Sequence, residues 1–472
     1  METGSWYGKI ERLKKEILKE VYPSKEEREK VELECNRLIQ RAKEILGEES
    51  LSEVEPKVLG SVARNTYLRG EVDIDLFLLF PLEVPIDELR SRGFRVGEQI
   101  LSSMGYSTER RYASHPYAHG SKEGIEVDVV PAYKVEHSNE IKTPVDRSVL
   151  HHEFLKERIK GLEEEIVLFK AFMKGCGLYG AEAKIGGFSG YLCELLVLRY
   201  GDFLSTVEAI SKWREGQVVS FPEQRVTTSF SSPLIFPDPT DERRNVAAAV
   251  SREKFHEAIF ATKLFLDRPS KLFFFPPRRK FSTKELLDNL SKRNLVGILF
   301  ETSLYIPDLL WPQLRKTLES LSNVLREEGF NVIRSGVWSN ERGLALILFE
   351  LDDFYQKSVV GDEGPPSRVP IDNIVGYITK NLECGPWVEG DRLMGLNIIR
   401  RPKSAKFLLN EVISEGRFSG GKHLKKDLIE NFDILVSSEL INVQDVSLLE
   451  WLSDFLRGKP PWLEAWKWSE RS

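Results

Sequence analysis

Asp73 and Asp75, separated by one isoleucine, are the residues of this chain best suited to chemistry. They stand in the run Val72-Asp-Ile-Asp-Leu-Phe-Leu-Leu-Phe80, whose alternation predicts a β-strand with both carboxylates on one face and Ile74, Leu76 and Leu78 on the other. Two acids that close repel each other unless a cation lies between them. Hard divalent ions with oxygen ligands, Mg²⁺ above all, fill that role, with substrate phosphates completing the shell. Upstream, the pair Gly60-Ser61 supplies what a phosphate needs. The glycine permits a tight turn, and the serine is expected to cap a short helix over Val62 to Leu68 whose start offers unpaired N–H groups. Arg64, one turn on, adds a guanidinium able to grip phosphate through two hydrogen bonds. An isolated Asp-Ile-Asp is commonly a solvated strand edge; the Gly-Ser pair upstream tips the reading toward a site.

A second β-branched run, Ile125-Glu-Val-Asp-Val-Val-Pro-Ala-Tyr133, places Glu126 and Asp128 on one face and Val127 and Val129 on the other. Unpaired carboxylates are costly to bury, so acids on such a strand make sense around a metal. Asp128 is the expected partner of Asp73 and Asp75, with Glu126 the alternative; spacing does not choose between them.

The longer strings narrow the chemistry. Gly60-Ser-Val-Ala-Arg-Asn-Thr-Tyr-Leu-Arg-Gly70, His115-Pro-Tyr, Ile-Glu-Val-Asp-Val-Val-Pro, His151-His152, Tyr179-Gly-Ala-Glu, Gly187-Phe-Ser-Gly-Tyr-Leu-Cys-Glu194 and Asp238-Pro-Thr-Asp-Glu-Arg-Arg-Asn-Val-Ala247 follow in order over residues 50 to 250. This set resembles the archaeal-type (class I) CCA-adding enzymes, tRNA nucleotidyltransferases of the DNA polymerase β superfamily. The resemblance implies template-independent addition of C, C and A to the 3′ end of tRNA from CTP and ATP. It implies two Mg²⁺ ions held by Asp73, Asp75 and Asp128 as the catalytic residues. It further implies that Ser61 and Arg64 contact the triphosphate, that His151, Lys170 and Tyr179 add ATP and CTP contacts, and that Arg244 reads the base edge. The family more often has Glu at the first metal position, so Asp73 departs from the pattern by one methylene. His151 and His152 are adjacent and point to different helix faces, so one of the two is expected to reach the site. The rival readings are a poly(A)- or oligoadenylate-forming transferase on the same head, and an RNA-binding protein with an inactive head. The presence of all three acids with Ser61 and Arg64 argues against the latter.

These residues need a mixed scaffold, and the chain reads as a multidomain α+β protein. A nucleotidyltransferase (polymerase β-like) head is expected over 1–147: a helical pair with Ser24 capping its second member, strands near 74–80 and 125–133, a helix over 86–104 and a further strand over 106–112. A helical central domain follows over 148–275, with helices at 163–174 and through Leu195-Leu196-Val197, and another containing Asn245 to Val250. Phe273-Phe-Phe-Pro-Pro-Arg-Arg279 reads as a boundary, because paired prolines continue neither helix nor sheet. Over 276–472, strands at 295–301, 330–338 and 344–351 with a helix at 309–326 and another at 371–381 read as a β-α-β-β-α unit near 294–381. That pattern is ferredoxin-like, the fold shared by RNA-recognition (RRM) domains, without their aromatic stacking signature. Trp462 and Trp466, at helical spacing, read as a packing anchor.

Composition fits. The 472 residues carry 41% hydrophobic and 30% charged side chains, a globular balance with room for several cores. No apolar run approaches the roughly 20 residues of a membrane helix, and the N-terminus lacks an apolar signal core, so a cytoplasmic location without membrane contact is expected. Cys35, Cys176, Cys193 and Cys384 are scattered, which excludes a CxxC zinc or redox motif. The net charge of −6 suits an RNA binder only if positive charge is concentrated locally. Arg392 to Lys426 holds nine Lys or Arg against Glu411 and Glu415, and Arg278-Arg279-Lys280 adds a second cluster. Both read as a surface that tracks nucleic-acid phosphates, with a merely solvated helix surface as the competing reading for any single residue. A homodimer is the assembly to test.

Overall fold

The computed structural model describes residues 2–469 apart from 113–115, 225–230, 278–280, 384 and 399–402. The chain divides into two compact units, one of Met1–Arg278 with Pro460–Ser472 and one of Arg279–Lys459. His115, Cys384 and the Arg278-Arg279-Lys280 cluster lie outside the described residues.

The first unit opens with helices α1 (Glu2–Val21) and α2 (Lys25–Glu48), and the Ser24 side chain accepts from Glu27 N as expected of a cap. Then come β1 (Glu55–Leu59), α3 (Gly60–Ala63), β2 (Val72–Phe80), α4 (Ile86–Ser103), β3 (Ser107–Tyr112), β4 (Pro116–Lys122) and β5 (Ile125–Tyr133). The five strands form one sheet in the order β1-β2-β5-β4-β3, with β2 parallel to β5 and every other neighbour antiparallel. Ile74, Leu76, Leu78, Val127 and Val129 are fully buried in a core shared with α2 and α4, each contributing about 1.5–3 kcal/mol of burial. Phe77, Leu79, Val130 and Ala132, on the face of the acids, are buried too. Only the beginnings of β2 and β5 open that face.

Helices α5 (Arg147–Arg158), α6 (Glu163–Gly175), α7 (Gly190–Tyr200) and α8 (Phe203–Ile210) follow, then short strands β6 (Gln217–Val218), β7 (Leu234–Ile235), β8 (Pro237–Asp238) and β9 (Asp241–Asn245), and α9 (Arg252–Asp267). They surround a second core rich in phenylalanine, with Phe172, Phe203, Phe265 and Phe273 among its members. The expected helix from Asn245 to Val250 is not one. Asn245 ends β9, and its side-chain oxygen accepts from Phe236 N (2.8 Å) and Ala247 N (3.0 Å), fixing a turn in place of a helical start.

The second unit begins with α10 (Thr283–Ser291), β10 (Asn294–Glu301), α11 (Pro307–Glu327), β11 (Val332–Ser339) and β12 (Leu344–Leu351), close to the expected elements. The next segment departs from expectation. β13 (Val359–Pro366), α12 (Ile371–Lys380), β14 (Trp387–Glu389) and β15 (Arg392–Ile398) make a separate three-stranded sheet in the order β13-β15-β14. The helix over 371–381 therefore does not complete the β10-α11-β11-β12 unit; Tyr377 ties it to β13 by donating to Asp362 O at 2.7 Å. α13 (Ala405–Ser414), α14 (Lys422–Glu430) and β16 (Phe432–Val436) follow, and β16 joins a four-stranded antiparallel sheet ordered β11-β12-β10-β16. Helix α15 (Val446–Arg457) packs its leucines into this unit's core.

Helix α16 (Pro461–Trp468) belongs to the first unit. Trp466 donates to Asp267 at 2.9 Å and Trp462 stacks on Phe260, so the tryptophans anchor the tail on α9. No helix among the described residues is long and apolar enough to cross a membrane.

Candidate active site

The parallel register of β2 and β5 sets Asp73 opposite Glu126 and Asp75 opposite Asp128. Asp73 and Asp75 thus share an open patch of sheet with both candidate third ligands. Burial, with the charge of Asp128 and Glu126, raises the Asp73 carboxyl to about 6. Burial, with the charges of Asp73 and Asp128, raises Asp75 to about 7. Asp128 is also raised by burial, against a hydrogen bond from His119. Such a patch is under electrostatic strain until a cation enters. Among the described residues no three His, Cys, Asp or Glu side chains are already drawn into a closed ion site. An open set of hard carboxylate oxygens beside room for phosphate suits Mg²⁺, which keeps part of its shell for water and substrate.

Asp75 is fixed from above. Strand β1 delivers Leu59 opposite Asp75, and the chain then turns at Gly60, whose φ is +71°. A Cβ on Gly60 would stand 1.9 Å from Asp75 Oδ2, so only glycine fits. Ser61 is not the cap expected of it. The cap position is Leu59, and α3 runs only from Gly60 to Ala63, because Asn65 turns the chain out at φ +55°. Ser61 instead lies in the helix itself and lines the cleft.

That cleft has a volume of about 530 Å³ and brings together Ser61, Thr66, Asp73, Glu126, Lys170 and Tyr179. The size matches a nucleotide-scale ligand. Behind it lies a buried charge cluster centred on Glu194 of α7, which is 1% exposed. Arg64 Nη2 donates to Glu194 Oε2 at 2.8 Å and its Nε at 3.2 Å. Lys170 Nζ donates to Glu194 Oε1 (2.8 Å), Thr66 O (3.0 Å) and Thr66 Oγ1 (3.3 Å), while the Thr66 hydroxyl donates to Glu194 Oε1 at 2.5 Å. Burial alone would raise the Glu194 carboxyl, but Lys170 and Arg64 outweigh it and hold it to about 2. All three ammonium donors of Lys170 are thereby engaged, whereas Arg64 retains its Nη1 donors. Tyr179 closes the cleft near Gly190: a Cβ there would come within 2.9 Å of the Tyr179 hydroxyl.

A third group lies on α5, α7 and the β8–β9 hairpin. His151 Nε2 and Arg244 Nη1 both meet Asp238 Oδ2, at 2.8 and 3.0 Å. The His151 ring stacks on Tyr191 with centroids 3.8 Å apart. Burial would raise Asp238, but hydrogen bonds from His151 and Thr240 hold it to about 2. His152 points elsewhere: its Nδ1 is buried without a partner among the described residues, and burial with the nearby Arg64 charge lowers it to about 4. His151 is thus the member of the pair that joins the Asp238 group.

Three members of these clusters escaped the sequence reading. His119 faces Asp128 in the β4–β5 register and its Nδ1 lies 2.6 Å from Asp128 Oδ1; β4 itself was not expected. Glu194 and Asp238 both fall within the strings that carry the family resemblance, but residue spacing gives neither of them a role. Five of the nine basic residues of the 392–426 stretch are ion-paired: Arg392 pairs with Glu363, Lys403 and Arg417 with Glu411, Lys406 with Glu439 and Lys426 with Glu430. Arg400 and Arg401 lie outside the described residues.

Three family models match in succession: a nucleotidyltransferase domain over residues 39–151, the second domain of tRNA nucleotidyltransferases over 164–275, and the C-terminal domain of CCA-adding enzymes over 292–437. The CCA-adding enzyme of Methanothermobacter thermautotrophicus is 36% identical over 94% of this chain and 97% of its own length. Those of Methanosarcina barkeri (35%, covering 96% of this chain and 100% of that protein) and Pyrococcus abyssi (35%, 89% and 94%) are similar. With the carboxylate patch, the glycine turn and these near full-length matches together, the chain belongs to the archaeal CCA-adding enzyme family.

Proposed function

We propose that this protein restores the 3′ end of tRNA, adding C, C and A without a nucleic-acid template from CTP and ATP. The observation that carries the reading is the pairing of Asp75 with Asp128 beneath Gly60, beside a nucleotide-sized cleft lined by Ser61 and Asp73.

In this reading Asp73, Asp75 and Asp128 hold two Mg²⁺ ions. When bound, the ions lower the pKa of the attacking 3′-hydroxyl and neutralise the triphosphate and the leaving pyrophosphate. The chain's own groups do the rest. Ser61 and the free N–H groups of α3 receive phosphate oxygens. Arg64, held by Glu194 through one edge, offers its remaining donors to the triphosphate. His151, Lys170 and Tyr179 complete the nucleotide contacts; Lys170 does so by exchanging its longest bond, that to Thr66 Oγ1. His119 orients Asp128, the kind of support that a carboxylate ligand needs to hold its geometry. Arg244 reads the base.

The proposed division of labour is a catalytic head over 1–147, a neck over 148–275 that completes the nucleotide site, and a body and tail over 276–472 that binds the acceptor arm in the cytoplasm. Within the body, β10-α11-β11-β12-α13/α14-β16 is read as a ferredoxin-like, RRM-like unit interrupted by the β13–β15 insertion. Its strand order supports this: the first and third strands are central and the second and fourth lie at the edges. With Lys403, Lys406, Arg417 and Lys426 ion-paired, this unit is read as touching RNA by shape as well as by charge.

The test is Asp75→Ala. Incorporation of CMP into tRNA lacking its CCA end should vanish while tRNA affinity changes less than about twofold. Retained turnover would contradict the metal role.

A further inference from the structure

We propose that Asp238 is a specificity-positioning residue, which aims Arg244 at the incoming base and locks it to the layer formed by His151 and Tyr191. The inference rests on the reading of Arg244 as the base-contacting side chain.

Asp238 is fully buried, and its two oxygens divide their work. Oδ1 accepts from the Thr240 backbone N–H (2.9 Å) and hydroxyl (2.8 Å), so the carboxylate is fixed by its own turn. Oδ2 accepts from His151 Nε2 and Arg244 Nη1. Arg244 is 41% exposed and sits on β9, the outer arm of a two-strand hairpin. A free arginine side chain has wide rotamer freedom; the Nη1 bond to a buried carboxylate removes much of it and uses neither Nε nor Nη2. The other partner of Oδ2, His151, is itself fixed by its parallel stack on Tyr191, at an interplanar angle of 13°.

The geometry suits a choice between bases. Cytosine N3 and adenine N1 are acceptors, whereas uracil N3 and guanine N1 carry a hydrogen. A guanidinium aimed at that ring position donates to C and A and meets a donor on U and G, where the bond is left unmade. Selection therefore depends on aim: a guanidinium free to swing would find the O2 or O4 of uracil instead. Asp238 supplies the aim without touching the base.

The experiment measures kcat/KM for CTP and UTP on tRNA lacking its CCA end, for the wild type, Arg244→Ala, Asp238→Asn and Thr240→Val. Asp238→Asn leaves one acceptor oxygen for two sets of donors and turns an NH2 donor toward the other set. It should lower the CTP:UTP ratio about tenfold or more. Thr240→Val, which loosens the carboxylate but keeps its charge, should shift the ratio the same way by a smaller factor, and it decides the matter if Asp238→Asn does not fold. If Arg244→Ala lowers the ratio but neither of the other two does, the positioning role is overturned and the reading of Arg244 stands. An equal fall for CTP and UTP in Asp238→Asn means a purely structural role and overturns it as well. If Arg244→Ala leaves the ratio unchanged, the underlying reading fails, and this inference with it.

Discussion

Replacing Asp75 by asparagine should stabilise the metal-free protein while removing its chemistry, and the gain should depend on pH. Burial and the charges of Asp73 and Asp128 raise Asp75 from an ordinary 3.8 to about 7. A carboxyl raised on folding binds its proton more tightly in the native state, so stability is highest below the unfolded value and falls as pH rises through the folded one. At about 1.4 kcal/mol for each tenfold change, the full penalty above pH 7 is about 4 kcal/mol. Neighbouring carboxylates share the repulsion and water reaches the strand ends, which reduces the net to on the order of 2 kcal/mol. Asp75→Asn keeps the shape and removes the charge. Urea melts of the full chain in EDTA, read out by hydrogen-exchange protection of the 72–80 and 125–133 segments, should show the variant close to wild type at pH 4 and more stable by about 2 kcal/mol at pH 8. Millimolar Mg²⁺ should stabilise the wild type at pH 8 and largely erase the difference. A variant less stable by the same margin at every pH would refute the reasoning, because Asp75 would then be a packing residue and not a strained ligand.

The other predictions concern the supports of the site. Gly60→Ala must distort a backbone at φ +71° and push Asp75 aside, so nucleotide transfer should fall at least 100-fold with tRNA binding unchanged in a filter assay. His119→Ala frees the Asp128 carboxylate, and Mn²⁺ binding measured by electron paramagnetic resonance without nucleotide should weaken by about tenfold or more, with His119→Asn intermediate. Glu194→Gln strands Arg64 and Lys170 without their counter-charge, and denaturant melts should show a loss of about 3–5 kcal/mol; replacing all three by apolar residues should recover much of that loss while leaving the enzyme inactive.

The parts that were legible in the sequence are those governed by local periodicity. β2 and β5 alternate at their starts, so the common face of Asp73 with Asp75 and that of Glu126 with Asp128 follow from residue order, whereas the pairing that joins the two pairs comes from the parallel register. The neighbouring strands were not legible for the same reason: β1 contains Pro56, and β4 reads Pro-Tyr-Ala-His-Gly-Ser-Lys, with little β propensity. Losing β4 meant losing His119. Glu194 meets Arg64 across 130 residues of chain and Lys170 across 24, and no spacing rule foretells such a contact. The alanine run after Asn245 suggests a helix, but the asparagine side chain binds the backbone first. In the second unit the first three strands and their helix were readable, but the fourth strand of their sheet, β16, comes only at residues 432–436, beyond the reach of a local pattern. The basic run of 392–426 shows the limit of counting charges: the acids that neutralise it include Glu363 and Glu439, which lie outside that stretch.

The most direct measurement offers the purified protein, Mg²⁺ and a tRNA trimmed of its CCA end four nucleotide conditions: CTP alone, ATP alone, both together, and UTP or GTP as controls. Two additions from CTP, and one terminal A only when both nucleotides are present, are the predicted result. Long tails from ATP alone, or tight tRNA binding with no incorporation from any nucleotide, would contradict it.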